Sequence, residues 1–587
     1  MNIVGISAHF HDSSCCLLQD GQLVAAASEE AFSRIKHDPS IPREAFRFCL
    51  QRGGIGMDEI DAVAYYENTR EKLGRQLWMG LPQCPSTSRA SFLRLDARRA
   101  ERDIRQALGY AGRIWYGDHH RSHAASAYLF SGFEEAAILT LDAVGEWTTT
   151  AYGLGRGGTV DLFETVEFPH SIGLLYSAVT QYLGFEVNEG EYKIMGLAPL
   201  GAPTHTDALR RCLRDGGATT GQFELALEYF DFSGSRSMAA PKFCELLGRG
   251  PRAPGEPIEP FHCDVARSMQ LIVEEFVLDK ARYLHSRTGS ERLCMAGGVA
   301  LNCVANGRLR REGPFREIFV QPAATDAGSA LGVAALAYVD LTGGGSVQPL
   351  QHVFLGPAFE DSQIEQLLRA AELAYIDCRD QPDRLVQETA KRLADGKVVG
   401  WFQGSLEFGP RALGGRSILA DPRLASMRDH VNAAVKKRES FRPFAPAVLA
   451  ERAAEHFEME GESQYMLFTC RVCSTLDLPA ITHVDGSARV QTVSERDNPR
   501  FHSLLREFAR QTGCPVLLNT SFNLRGEPIV CSPVDAMLCF VRSDLDCLVL
   551  ESFLIDRATL PQEWRQWFGV SYQPPASGIS ESVYTLL

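Results

Sequence analysis

Two α/β domains in tandem, the first built from a repeated unit, are the architecture this sequence predicts. Three observations predict it. A strand–turn–strand rhythm opens the chain and returns near Ala136, glycines interrupt the chain at Thr342-Gly343-Gly344-Gly345-Ser346, and helix and strand alternate afresh from about Gly356. Length agrees, because 587 residues exceed what one hydrophobic core organises.

In the first unit, apolar residues 3–7 read as a strand, 13–18 as a second, Asp20-Gly21 as a hairpin turn and 23–28 as a third strand. In the second unit, 137–141 end at Asp142, 148–153 follow, Gly157-Gly158 turn the chain and 160–168 close the set. Each unit carries a carboxylate just past its first strand, Asp12 and Asp142, and each is followed by helical segments, 43–52 and 172–183. This rhythm predicts a duplicated domain over residues 1–345 with its ligand cleft between the halves. Residues 346–358 read as a linker and 359–587 as the second domain, with a helix near 383–395, a buried strand at 398–402 and a loosely held tail at 573–578.

Composition bounds the function. With 45% hydrophobic and 22% charged residues, the chain is an ordinary soluble protein, and a net charge of −14 argues against a nucleic-acid partner. No apolar run approaches the roughly 20 residues that cross a bilayer, and the N-terminus lacks signal-peptide features. No membrane partner is therefore expected. The scattered cysteines read as reduced thiols of a cytoplasmic protein, and the single pair Cys470/Cys473 as strand packing.

Cations gather in the second half. The loop Glu407-Phe408-Gly409-Pro410-Arg411-Ala412-Leu413-Gly414-Gly415-Arg416-Ser417 holds two arginines in a glycine-loosened backbone. Guanidinium forks match phosphate oxygens, and glycines let main-chain N–H groups approach an anion. A lone loop of this kind reads as a solvated surface turn. Here Lys436, Lys437, Arg438 and Arg442 follow, flanked by Phe441, Pro443 and Phe444, and Arg489 adds another cation. An apolar strand then ends in Asn519-Thr520-Ser521-Phe522-Asn523, where α/β folds place ligands. Arg411, Arg416, Lys436, Arg442 and Arg489 in an acidic chain point to an anion site that takes a nucleotide.

The first half carries a different set. In Asp118-His119-His120-Arg121-Ser122-His123 the histidines at 119 and 123 share one helical face and can grip a divalent metal; the alternative is a polar helix start facing water. Asp142 and Asp326 each stand at a strand end, and two histidines with two carboxylates suit Fe²⁺, Mn²⁺ or Zn²⁺. Gly297-Gly298 lie between a strand and a helix start, where backbone N–H groups receive phosphate, or else simply pack tightly. No GxxxxGK[ST] occurs, so any ATP is held without a P-loop. His11-Asp12 follows the first strand. His11 reads as a general base or as a turn histidine bonded to its neighbour.

Together, Phe10-His11-Asp12-Ser13, His119-His120-Arg121-Ser122-His123-Ala124-Ala125-Ser126, Lys193-Ile194-Met195-Gly196-Leu197-Ala198-Pro199, Gly297-Gly298-Val299-Ala300-Leu301-Asn302, the arginine loop, Phe441-Arg442-Pro443-Phe444-Ala445-Pro446 and Asn519-Thr520-Ser521-Phe522-Asn523 resemble the NodU/CmcH family of O-carbamoyltransferases over nearly the whole chain. The resemblance implies an actin-like ATPase (ASKHA) fold for the first domain and a YrdC-like fold for the second. It implies two reactions: carbamoyl phosphate and ATP give carbamoyl adenylate and pyrophosphate, then the carbamoyl group passes to a hydroxyl of a small-molecule acceptor, releasing AMP. By motif position, His119, His123, Asp142 and Asp326 would hold iron, and His11 with Asp12 would act on the acceptor hydroxyl. Lys436, Arg442, Arg489, Asn519 and Ser521, with Arg411 and Arg416, would bind carbamoyl phosphate and the magnesium-bound ATP. Gly297, Gly298 and Asn302 would hold the adenylate in the first domain, Lys193 would also bind the cofactor, and Lys36 and Asp231 would face the acceptor. The sequence departs from the family at Asp142-Ala143-Val144-Gly145-Glu146, where relatives carry Asp-Gly-x-Gly-Glu, so this loop is stiffer here.

Other classes fit the same residues less well. An ATP-binding regulatory protein leaves the second cation cluster unexplained. A tRNA threonylcarbamoyl-type transferase conflicts with the acidic balance, and a metalloprotease lacks its His-Glu-x-x-His. An antibiotic, polyketide, sugar or lipo-oligosaccharide acceptor fits the sequence equally, with loops 78–94 and 216–221 shaping its pocket. A homodimer is expected.

Overall fold

A computed structural model describes residues 1–79, 95–232, 237–436, 438–439 and 441–568. Residues 80–94 of the expected acceptor loop, Lys437 and the tail at 573–578 lie outside that set. The described residues divide into two compact units, one of 1–33 and 37–351, the other of 34–36 and 352–568. Among the described residues no helix is long and apolar enough to cross a membrane. The described cysteines are free thiols; Cys470 is buried in a strand and Cys473 exposed.

The first unit contains the duplication. Strands β1 (Asn2–Ser7), β2 (Ser14–Gln19), β3 (Gln22–Ser28), β4 (Ala62–Tyr65) and β5 (Ile114–Tyr116) form one sheet in the order β3-β2-β1-β4-β5. β1, β2 and β3 pair antiparallel, then β4 and β5 join parallel. Strands β6 (Glu135–Leu141), β7 (Thr148–Arg156) and β8 (Thr159–Glu167) repeat the antiparallel trio. A small hairpin of β9 (Leu213–Asp215) and β10 (Phe223–Leu225) intervenes, and β11 (Arg292–Ala296) and β12 (Glu317–Val320) add the parallel pair. The second sheet runs β12-β11-β6-β7-β8, the same 3-2-1-4-5 order and directions as the first. This is the duplicated α/β arrangement that the actin-like resemblance implies.

The hydrophobic pattern explains the layers. β1, β2 and β6 are buried along nearly their whole length, as central strands covered on both faces must be, whereas β8 alternates buried and exposed at the edge. Between the sheets lie two helices of small residues, His119–Ser131 and Asp326–Thr342. They approach closely because position 332 is glycine; a Cβ there would meet the Ser122 carbonyl at 1.8 Å. The Gly343-Gly344 run taken for an interruption is the C-terminal cap of the second helix.

The second unit holds strands β13 (Ile376–Asp377), β14 (Val399–Phe402), β15 (Arg416–Ala420), β16 (Ala445–Leu449), β17 (Thr469–Arg471), β18 (Ser487–Arg489), β19 (Gln491–Val493), β20 (Val516–Ser521), β21 (Cys547–Leu550) and β22 (Phe553–Asp556). Eight of them form one mixed sheet, β13-β22-β21-β14-β15-β20-β16-β19, and β17 pairs with β18. The helices Pro382–Ala394, Pro499–Thr512 and Pro533–Arg542 each start at a proline, which fits the first helical turn. Trp401, Phe402, Leu419, Phe501, Phe508 and Leu518 are fully buried in the core they cover.

Candidate metal centre and anion site

The histidine helix starts where Asp118 accepts a hydrogen bond from the Arg121 N–H at 3.1 Å. His119 and His123 follow on one face, their Nε2 atoms 3.1 Å apart. Asp142, the residue after β6, brings its Oδ2 to 3.2 Å from His119 Nε2 and 3.8 Å from His123 Nε2. Asp326 opens the facing helix and sets its Oδ1 at 3.5 and 3.4 Å from the same two nitrogens. All four side chains are buried, with donor atoms within 4.8 Å of one another.

Surrounding groups aim these donors. His123 Nδ1 meets Ser329 Oγ at 3.1 Å, which turns its Nε2 inward. The Gly298 N–H donates to Asp142 Oδ1 at 2.9 Å. Gly297 makes that possible: its φ is +90° and a Cβ would lie 2.2 Å from the Leu141 carbonyl. Glu146 accepts the His119 N–H at 3.0 Å and the Asn68 N–H at 2.6 Å, so a second carboxylate holds the helix start. Burial, then the charges of Asp118 and Glu67, push the Glu146 carboxyl up to about 7.

Two imidazole nitrogens and two carboxylate oxygens crowding one point need a cation. Without one, burial works against a charged His119, but Asp326 and Asp142 overcome it and raise its pKa to about 10. Burial likewise opposes a charged Asp142, and the His119 hydrogen bond with the His123 charge holds it far below the usual range. Asp326 Oδ1 is buried with no hydrogen-bond partner. An orphaned acceptor among lone pairs of this kind fits a divalent metal, and the mixed nitrogen–oxygen set suits iron, manganese or zinc.

His11 lies in the loop after β1, between His9 at φ 72° and Asp12 at φ 58°. Left-handed backbone at two non-glycine residues costs roughly 1–3 kcal/mol each and marks a loop held in place by its surroundings. Asp12 Oδ2 accepts from His11 Nδ1 at 3.1 Å, so the lone pair of a neutral His11 resides on Nε2. Burial lowers the His11 pKa, but Asp12, then Asp326 and Asp142, raise it to about 9.

Three first-unit features expected at ligands have protein partners in the structure. The Gly298 N–H, expected on a phosphate, serves Asp142 instead. The Asn302 amide, expected on the adenylate, is engaged reciprocally by Gln270 at 3.0 and 3.1 Å and caps the helix Cys303–Glu312 through the Ala305 N–H. The loop at 216–221 is tied down, because the buried Lys280 ammonium donates to the carbonyls of Gly217 and Thr220. Lys193 stands 5.6 Å over the Phe185 ring in the helix Glu191–Leu197. Asp231 is half-buried with its N–H on the Met238 carbonyl, and Lys36 groups with the second unit.

In the second unit Arg416 is not a ligand-facing cation. It is fully buried, stacks 3.5 Å over the Phe402 ring and donates to the carbonyls of Pro357, Gln403, Gly404, Gly415 and Cys531. Three of the arginine loop's backbone donors are also committed, since Glu407 Oε1 accepts the N–H groups of Leu413, Gly415 and Arg416. Glu407 could have been suspected as the one acid within the loop.

The remaining segments meet at one end of the eight-stranded sheet. Lys436, closing a π-helical turn Val431–Lys436, donates to Ser521 Oγ at 3.0 Å. Asn519 donates to the Ala412 carbonyl at 3.1 Å, beside Arg411, and to Gln491 at 2.7 Å, two residues from Arg489. Asn519 also pairs across strands with Ala445, three residues past Arg442. Burial, then Arg438, and also Arg442 and Lys36, push the Lys436 ammonium well below its usual range. Such mutual repulsion among cations is what a bound phosphate relieves.

An acid–base pair near a buried donor cluster, with a cation cluster in a second unit, equips an enzyme of group transfer rather than a binding module. Comparison with known proteins names the family. Residues 2–335 match the carbamoyltransferase N-terminus and residues 390–557 the carbamoyltransferase C-terminus. The chain belongs to the NodU-type O-carbamoyltransferases and is a carbamoyl-transferring enzyme. It is 42% identical to an uncharacterized protein, sll1178, of Synechocystis over 97% of this chain and 99% of that one. It is 39% identical to the nodulation protein NolNO of Sinorhizobium fredii over 98% of this chain and 83% of that one. It is 40% identical to the 3'-hydroxymethylcephem-O-carbamoyltransferase of Amycolatopsis lactamdurans over 44% of this chain and 47% of that one.

Proposed function

We propose that this protein, in its second unit, read as YrdC-like, converts carbamoyl phosphate, water and ATP to carbamoyl adenylate, inorganic phosphate and pyrophosphate, and in its first unit transfers the carbamoyl group to a hydroxyl of a small-molecule acceptor, releasing AMP. The observation that carries this reading is the pair of unlike sites, a cation cluster seeking phosphate and a lone-pair cluster seeking a metal. A carbamoyl carbonyl is a sluggish electrophile because nitrogen donates into it, and adenylation supplies the leaving group.

In the second unit Lys436, Arg442, Arg489 and Arg411 offset phosphate charge, while Ser521 Oγ and the Asn519 Oδ1 acceptor offer neutral hydrogen bonds, the Asn519 amide protons being committed to Ala412 and Gln491. Arg416 is left out of this set, its donors being occupied by carbonyls. In the first unit His119, His123, Asp142 and Asp326 would hold the metal, iron by family likeness, whose positive charge orients an adenylate phosphate. His11 Nε2 takes the acceptor proton and Asp12 stabilises the resulting imidazolium. The acceptor is a secondary metabolite or sugar; the hydroxymethyl group in the name of the Amycolatopsis relative is of that kind.

The deciding experiment follows ATP. Incubation with carbamoyl phosphate, Mg²⁺-ATP and candidate alcohols should yield AMP, pyrophosphate, inorganic phosphate and a carbamate. ADP as the sole nucleotide product would overturn the mechanism.

A further inference from the structure

Asp12 serves two imidazoles. Its Oδ2 accepts from His11 Nδ1 at 3.1 Å and its Oδ1 from His37 Nδ1 at 2.7 Å. His37 sits at φ 54°, its N–H donates to the Glu30 carboxylate at 2.9 Å, and its Nε2 lies 3.6 Å from Glu189 Oε1. The two rings stand edge to face with centroids 6.4 Å apart. Asp12, Glu30 and His37 also bring ligand-type atoms within 4.8 Å, but the two His37 N–H groups already occupy those carboxylates, so the trio is a hydrogen-bonded brace rather than an ion site.

A carboxylate engaged through one oxygen swings about its χ2 axis, whereas one engaged through both is held in plane. We propose that His37 is a positioning residue for carbamoyl transfer. It holds Asp12 so that His11 keeps its proton on Nδ1 and presents the Nε2 lone pair to the acceptor. The inference rests on the function proposed above. In that step the acceptor O–H proton passes to His11 Nε2 as the oxygen bonds to the carbamoyl carbon. The bond from that carbon to the adenylate phosphate oxygen breaks, and its electron pair leaves with AMP. Asp12 stays ionised beside the new imidazolium, and His37 takes no proton.

The test compares His37→Ala, His37→Asn and His37→Gln in the full-length protein. Two reactions are read, carbamoyl-phosphate-dependent exchange of pyrophosphate into ATP and steady-state carbamate formation. Exchange should stay within about twofold of wild type. Carbamate kcat should fall about 10- to 100-fold in His37→Ala with the acceptor KM little changed. Asparagine, whose amide nitrogen can replace Nδ1, should restore most of it, and glutamine should not. Adding His37→Ala to Asp12→Asn should cost little more than Asp12→Asn alone. Wild-type transfer in His37→Ala, multiplying losses in the double variant, or asparagine no better than alanine would overturn the inference while leaving the function intact. Wild-type protein that makes no AMP and carbamate would sink the function and this inference with it. Should His37→Ala lose exchange as well, the asparagine–glutamine contrast decides alone.

Discussion

Arg416 and Arg442 lie in the same cation-rich half of the chain, yet they should fail in opposite ways. Removing Arg416 takes a donor from five main-chain carbonyls, four of them buried, and leaves a void against Phe402, so Arg416→Ala should cost about 3–5 kcal/mol, seen as a lowered unfolding midpoint. Arg442, 3.8 Å from Glu439, is expected on carbamoyl phosphate and ATP, so Arg442→Ala should abolish adenylate formation. His11→Ala should spare adenylate formation and block transfer; loss of both reactions at the same step would refute that division. The metal-stripped protein carries a pH signature. His11 titrates at about 9 in the fold, above the 6.5 of an ordinary histidine, and His119 at about 10. A raised pKa stabilises in full below pH 6.5 and is lost as pH climbs through 9 to 10. Thermal melts of stripped protein should therefore fall between pH 7 and 10, and loading the metal, which needs neutral imidazoles, should flatten that slope. At this scale the residue types of the candidate metal set were legible, because two histidines four apart and two strand-end aspartates are a pattern. That Arg416 faces inward was not, since a sequence records a charge and not the carbonyls around it.

Single elements carry the next level. The turn after β11 reaches Asp142 through Gly297, whose left-handed φ and 2.2 Å approach to Leu141 exclude a side chain. Gly297→Ala should cost roughly 1–3 kcal/mol and suppress carbamate formation while adenylate formation persists, as partial-reaction assays would show. The strand–turn–strand rhythm anticipated both antiparallel trios to within a few residues, because period-two burial and hairpin turns are local properties. The Gly-rich break at 342–346 begins where Gly343 caps a helix that runs to Thr342. Glu407, Glu146 and His37 went unnoticed for a shared reason: each acts on a partner remote in sequence or on main-chain N–H groups, and neither leaves a spacing to read.

For the whole molecule, the two unlike sites predict separable requirements. Protein stripped of metal and given Mg²⁺ alone should still exchange pyrophosphate into ATP, whereas carbamate should reappear only on adding Fe²⁺ or a substitute the two histidines and two aspartates accept. Parallel loss of both reactions, unrestored by Mg²⁺, would refute separate sites. The sequence by itself determined the α/β class, the repeat, the chemistry of the donor residues and the family, because these depend on composition, periodicity and motif order. Only the tertiary structure decided that His119, His123, Asp142 and Asp326 meet, which backbone donors are already spent, and that one aspartate joins two histidines from separate loops. Convergence of that kind arises where helices pack as closely as Gly332 permits and strands cross over between distant segments, and no local pattern encodes it.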